Sequence, residues 1–183
     1  MPRNLGPTEL KRLHRHWRQS TTSRLALLLD AVQTPFNVGS ILRTAAALRV
    51  DHLWLAGATA APEDPKARKT ALGTARYLTW TAIEDVTAAA AAVHAQGYRL
   101  VGVELADTAE PLHQLDLAGD VCLAVGHEDR GLSAAGLAAC DAVGFIPLLG
   151  RVGSLNVATA AAMALYEARR QQFPAAPDKG FRH

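Results

Sequence analysis

Apolar residues follow two rhythms along this chain. Unbroken short runs, "RLALLLDA" (24–31), "DHLWLAG" (51–57), "YRLVGVEL" (98–105), "DVCLAVG" (120–126) and "AVGFIPL" (142–148), have the length of strands buried on both faces. "YLTW" (77–80) reads as a shorter one. Between them the apolar positions recur at helical spacing. Ile41, Leu42, Ala45, Ala46 and Leu48 line one face of a helix over about 38–49 that Asn37 can cap, and "IEDVTAAAAAVHAQG" is a helix closed by Gly97. "SAAGLAAC" starts a short helix at Ser133, and an alanine-rich helix runs from about 154 to 172. Ahead of the first strand, Pro7 and Thr8 open an amphipathic helix with Leu10, Leu13 and Trp17 at helical spacing. Residues 58–76, broken by Pro62, Pro65 and Gly73, read as loop with a short helix.

Strands alternating with helices predict an α/β protein, with a mainly parallel sheet and helices on both faces. The boundaries read as a basic helical extension over 1–22, one domain over 23–172 and a frayed tail over 173–183. At 183 residues, 49% apolar and 20% charged, the chain suits one domain with a sizeable core. No apolar run approaches the ~18 residues of a membrane span, and the N-terminus lacks a signal-peptide core; the expectation is a cytoplasmic protein. Cys122 and Cys140 form no CxxC and sit among apolar residues, as reduced packing thiols do.

Charge changes the picture at one end. Residues 1–24 hold six Lys or Arg against the single acid Glu9, while the rest of the chain carries thirteen against sixteen. Arg12, Arg15 and Arg18 on the first helix, and Lys66, Arg68, Lys69 and Arg76 in the broken segment, are candidates for a nucleic-acid backbone; a solvated helix face is the plainer reading.

In a parallel sheet, ligands sit beyond the carboxyl ends of the strands, and three loops there carry unusual polar content. In "NVGSILR" (37–43), Asn37 is an N-cap candidate. Gly39 is costly in a helix, by ~1 kcal/mol against alanine, which suggests close approach by another group. Arg43 in the same stretch is either solvated or a clamp for phosphate or substrate. In "GHEDRGLS" (126–133) two glycines bracket three charged side chains, with neither a phosphate-loop nor a dinucleotide pattern; glycine there lets backbone pass close to a ligand. In "GRVGSLNV" (150–157) both Ser154 and Asn156 stand before a helix that needs one cap, so the other is free to face a cleft. Metal motifs and a GxSxG nucleophile are absent, and His14 and His16, two apart, do not share a helix face; no metal is expected.

The three loops in this order resemble the motifs of the SpoU (TrmH) family of RNA 2′-O-ribose methyltransferases, within the SPOUT superfamily. "NVGSILRTAAAL" is similar to its N-x-G-x-x-x-R motif, "LAVGHEDRGLS" to G-x-E-x-x-G, and "IPLLGRVGSLNVATAAAMALYEARRQ" to the third, across residues 25–172. His127 departs from the small polar residue common at that place. The resemblance implies a deep C-terminal trefoil knot, a homodimer with its site near the subunit interface, and S-adenosylmethionine as methyl donor, with no metal. It implies donor contacts around Val103, Gly126, Ile146, Ser154 and Leu155, and catalytic roles for Asn37, Arg43, Glu128, Ser154 and Asn156. Asn37 is expected to position Arg43 or the ribose, and Glu128 to hold its loop or pair with Arg43. The substrate implied is tRNA, a D-loop guanosine being favoured and a separate N-terminal RNA-binding domain lacking. Ribosomal RNA is the alternative within the family. A non-catalytic RNA-binding SPOUT relative, whose knot holds no donor, is the alternative outside the enzymes, and another nucleotide-binding α/β module comes third.

Overall fold

The computed structural model describes residues 3–173; most of the predicted tail lies outside them. Seven strands form one sheet in the order β3-β2-β1-β6-β4-β7-β5, with every pairing parallel. The strands are β1 Leu25–Asp30, β2 His52–Ala56, β3 Trp80–Ile83, β4 Arg99–Val103, β5 Glu110–Pro111, β6 Val121–Val125 and β7 Ala142–Phe145. The helices are α1 Pro7–Ser20, α2 Pro35–Ala47, α3 Pro65–Ala71, α4 Val86–Ala95, α5 Ala134–Ala139 and α6 Val157–Gln172.

The unbroken apolar character of β1 follows from its place. It lies between β2 and β6, Leu27 opposite both Leu53 and Leu123, and all six of its residues are buried. Side chains alternate across the sheet. Leu25, Leu27 and Leu29 join a core with Val38, Ile41 and Leu42 of α2 and Ala161, Ala164 and Leu165 of α6. Ala26 and Leu28 face the opposite core, with Trp54 and with Val86, Ala89, Ala90 and Val93 of α4. Helices therefore cover both faces, as the patterning predicts.

Three element starts and one short strand differ from the sequence reading. Helix α2 opens at Pro35, whose fixed φ suits a first helical position, so Asn37 is inside the first turn and is not the cap. Helix α6 begins at Val157 because the Asn156 side chain caps there. Tyr77 belongs to a 3-10 turn, Thr74–Tyr77, and the strand starts only at Trp80. Left-handed Leu72 (φ 50°) and Gly73 (φ 74°) reverse the chain ahead of that turn. Strand β5 is two residues long, too short for any periodicity to reveal.

Gly39 is explained by packing. A Cβ there would lie 2.5 Å from the Ala67 carbonyl oxygen and 2.7 Å from Thr70 Cβ, so the approaching group is α3. At the other edge of the same core, Arg169 is 2% exposed. Its guanidinium donates to the Leu48 and Ser23 carbonyls at 2.8 and 2.9 Å and also to that of Arg49, tying the end of α6 to the chain around α2 and β1. Burial lowers its pKa, and Asp51, at 3.8 Å, opposes that shift.

Helix α1 has no buried residue; Trp17 packs on Phe173 with ring centroids 5.0 Å apart. Arg12, Arg15 and Arg18 on this helix are exposed. Among the described residues no helix is long and apolar enough to cross a membrane.

Candidate active site

The chemistry-bearing loops leave the carboxyl ends of β1, β4, β6 and β7. The second loop folds back on itself. His127 and Gly131 exchange backbone hydrogen bonds at 3.0 and 2.9 Å, and a Cβ on Gly126 would lie 2.1 Å from the Gly131 carbonyl carbon. Glycine at both ends thus lets this loop's own backbone segments cross. A Cβ on Gly131 would meet the Glu104 carboxylate at 2.0 Å. That carboxylate accepts the Leu132 N–H at 2.9 Å, and Asp30 accepts the Ser133 N–H at 2.9 Å. Sequence reasoning missed both anchors. Their signal was an acid closing an apolar strand, in "LALLLD" and "VGVE".

Glu128 reaches out of this loop to the start of α2. Its carboxylate accepts the Thr34 N–H at 2.8 Å, the Gln33 N–H at 3.2 Å and the Asn37 Nδ2 at 3.0 Å. No side chain of α2's own segment caps it; Glu128 supplies acceptors and negative charge from 91 residues downstream. Partial burial works to raise the pKa of Glu128. Hydrogen bonds from Asn37, its own backbone and Thr34 outweigh that and hold it at about 2.

The third loop closes the arrangement. Asn156 Oδ1 accepts the Ala158 and Thr159 N–H groups at 2.9 and 3.3 Å, capping α6, while Nδ2 donates to Asn37 Oδ1 at 2.9 Å. Glu128, Asn37 and Asn156 thus form one directional chain of hydrogen bonds across all three loops. Asn156 is the cap and Ser154 faces a cavity, which divides the two polar residues between structure and cleft.

That cavity has a volume of about 570 Å³, within the usual range for small-molecule sites. Val103, Val125, Ile146, Leu148, Leu155 and Val157 form apolar walls, and Glu104, the 126–131 loop and Ser154 line the rest. All five residues expected around the donor (Val103, Gly126, Ile146, Ser154 and Leu155) line it.

Arg43 is placed differently. It is exposed on α2, six positions from Asn37 and so on another side of the helix, and it does not line this cavity. Its side chain has no hydrogen bond or ion pair among the described residues, so neither Asn37 nor Glu128 holds it. Among those residues no group of three His, Cys, Asp or Glu side chains is placed to hold a metal ion. Cys122 and Cys140 are free thiols, with burial raising both pKa values, that of Cys140 to about 11.

A parallel α/β sheet with a cavity beyond its strand ends, beside three hydrogen-bonded loops, defines a domain with a small-molecule site at the usual place for this architecture. The comparisons give the family. The model of the SpoU rRNA methylase family matches residues 24–166, and the chain belongs to that family. A 23S rRNA (guanosine-2′-O-)-methyltransferase, RlmB, of Acinetobacter baylyi is 36% identical over 84% of this chain and 62% of its own length. The SpoU methyltransferase AviRb of Streptomyces viridochromogenes, solved with AdoMet, superposes with a TM-score of 0.74 at 34% identity, over 82% of this chain and 58% of that one. A TrmH/SpoU tRNA-modifying enzyme of A. aeolicus gives a TM-score of 0.73 at 26% identity, over 90% and 84%. The chain spans about 60% of the length of the curated relatives it matches.

Proposed function

We propose that this protein is an S-adenosylmethionine-dependent RNA ribose 2′-O-methyltransferase. The hydrogen-bonded chain Glu128–Asn37–Asn156 carries the reading, because it joins all three family motifs beside one cavity of donor size. The aliphatic walls suit a purine ring, and the bound donor supplies an activated sulfonium methyl. The ribose 2′-oxygen forms the new C–O bond as the methyl leaves sulfur, and the hydroxyl proton departs to a neighbouring RNA phosphate. An arginine guanidinium does not serve as a base in a protein; that of Arg43 stabilises the developing alkoxide. Ser154 contacts the reactants from the cavity wall. Asn37, Glu128 and Asn156 are positioning residues that fix the loops around them. Holding both reactants in line supplies much of the rate, up to ~7–11 kcal/mol in favourable cases.

Arg43 stands outside its own chain's cavity, so in this reading it serves the cavity of a second copy in a homodimer. The C-terminal knot belongs to the same proposal. It is supported by β7 lying between β4 and β5, and by α6 returning onto α2 and β6. For the RNA, the relatives named as 23S rRNA guanosine methyltransferases favour ribosomal RNA. The alignment with most of a tRNA-modifying enzyme supports tRNA as the second reading. Arg12, Arg15, Arg18, Lys66, Arg68 and Lys69 hold the RNA backbone.

The test is transfer of labelled methyl from S-adenosylmethionine to purified rRNA and tRNA, with 2′-O-methyl mapping of the products. The expected result is one modified ribose in one RNA class. Arg43→Ala is expected to keep its melting temperature and donor affinity and to lose transfer by at least about a hundredfold. Full transfer in that variant removes the role given to Arg43.

A further inference from the structure

An exposed aromatic and a cation lie at the β3 edge of the sheet, in a turn packed on α2, without a structural task. In the 3-10 turn Thr74–Tyr77, the flanking Ala75 and Leu78 pack onto the core, and Thr74 Oγ1 donates to the Ala71 carbonyl at 2.7 Å. The turn is therefore fixed, yet Tyr77 between those anchors is 67% exposed. The Arg76 guanidinium lies over its ring, 4.8 Å from the centroid, and donates to the phenol oxygen at 2.8 Å. Cation and ring hold each other in one orientation, and neither side chain has another hydrogen-bond or ion-pair partner among the described residues.

The surroundings are cationic. From residue 66 to residue 83 the chain carries Lys66, Arg68, Lys69 and Arg76 and no acid. All four are exposed, and none forms an ion pair among the described residues. Leu72, also exposed, adds an apolar edge beside the turn. Both α3 and the turn pack on α2, the helix that carries Arg43. A rigid aromatic with a guanidinium on one face, rimmed by unpaired cations, fits a nucleobase stacked on the open face with its phosphates on the rim. A protein partner would need a larger apolar surface than one ring and one leucine.

We propose that Tyr77, braced by Arg76, is a stacking platform for an unpaired base of the substrate RNA where it passes α2 and α3, with Lys66, Arg68 and Lys69 gripping the adjoining backbone. This rests on the RNA methyltransferase reading and specifies its substrate as RNA that is single-stranded where it meets α3. Sequence-tolerant stacking of this kind selects unpaired RNA over duplex.

The test uses the full chain and fluorescein-labelled 15-nucleotide A-rich and U-rich RNAs, each alone and in duplex, read by anisotropy across a salt series. Wild type is expected to prefer single strands. Tyr77→Ala is expected to lose single-strand affinity by roughly tenfold or more, while Tyr77→Phe stays within about twofold. The salt slope stays as in wild type for both, whereas Lys66→Ala and Lys69→Ala each reduce it by about 0.7. In Tyr77→Trp, RNA binding quenches the new indole emission. Unchanged affinity in Tyr77→Ala overturns the platform, and so does a loss that appears only as a smaller salt slope. Calorimetry with S-adenosylmethionine keeps the two readings apart. Wild type that binds the donor and the RNAs, with Tyr77→Ala doing the same, ends the platform alone. Wild type that binds no RNA at any salt ends the RNA reading as well.

Discussion

A carboxylate held at about 2 has consequences that reach beyond its own loop. Glu128 is depressed from 4.5 because the folded chain gives it three donors. Its contribution is fully present above the unfolded pKa and is lost as pH falls from about 4.5 towards 2. In Glu128→Gln the amide turns N–H groups towards the N–H groups of Gln33 or Thr34, so the variant melts below wild type at pH 7. The gap narrows through the same acid window, and thermal melting from pH 7 to pH 2.5 reads it. A gap independent of pH removes the charge from the account. Asn37 and Asn156 depend on direction in the same way, since each amide donates towards Glu128 and accepts from the far side. Asn156→Asp keeps the cap and loses the donor to Asn37. Asn156→Ala loses both, the cap alone being worth about 1 kcal/mol. A double-mutant cycle with Asn37→Ala therefore gives coupling for Asn156→Asp as well as for Asn156→Ala. Additive effects mean that the three loops are not joined through these amides. The sequence shows Asn37 and Asn156 as polar groups at helix starts and Glu128 as a charge in a glycine-bracketed loop. Their partnership across 91 and 119 positions is set by the packing of the sheet and is invisible to local pattern.

At the scale of elements, the two rhythms were enough to place six of the seven strands and the helices, because continuous apolar runs and 3.6-residue stripes report burial directly. The failures were at junctions, where backbone chemistry decides. The run "YLTW" carries strand-forming residues, whereas left-handed Leu72 and Gly73 commit its first residue, Tyr77, to a turn. Arg169 was legible in principle: it lies on the stripe of Val157, Ala161 and Leu165, four residues beyond the last. Gly39 stands out in the sequence by its cost in a helix, and the group that approaches it lies in an element 28 residues away. Gly39→Ala gains helix propensity of ~1 kcal/mol in α2. Its Cβ must then displace the Ala67 carbonyl, a backbone atom that cannot rotate aside. Overpacking of this kind costs about 1–3 kcal/mol, so the net expectation is a lower melting temperature. The same displacement moves α3 with Lys66 and Lys69, so RNA affinity falls while donor binding at the opposite loops is kept. A variant as stable as wild type, with unchanged RNA affinity, shows that α3 yields without consequence.

For the whole molecule, the unresolved demand is apolar surface. Leu149 is fully exposed, and Val152, Phe36, Met163 and Tyr166 are each about half exposed or more. They lie on the loop 147–154 and on α2 and α6, which pack against each other. Arg43, on the same helix as Phe36 and seven positions from it, shares that side of α2. A second copy covering these residues removes them from water and also carries Arg43 to a neighbouring cavity. Light scattering is then expected to give twice the chain mass, and Leu149→Glu with Tyr166→Arg to give a single chain mass with transfer lost. The decisive arrangement is a mixture. Arg43→Ala and Ser154→Ala are each expected to be inactive alone. If Arg43 serves the partner's cavity, a heterodimer of the two variants holds one site with both residues intact. Equal mixing then restores about one quarter of wild-type sites. If Arg43 serves its own cavity, every site in the mixture lacks one of the two residues and no activity returns. Restored transfer therefore requires both the shared site and the twofold assembly, and a silent mixture of correctly assembled dimers removes the exchange of Arg43 between copies.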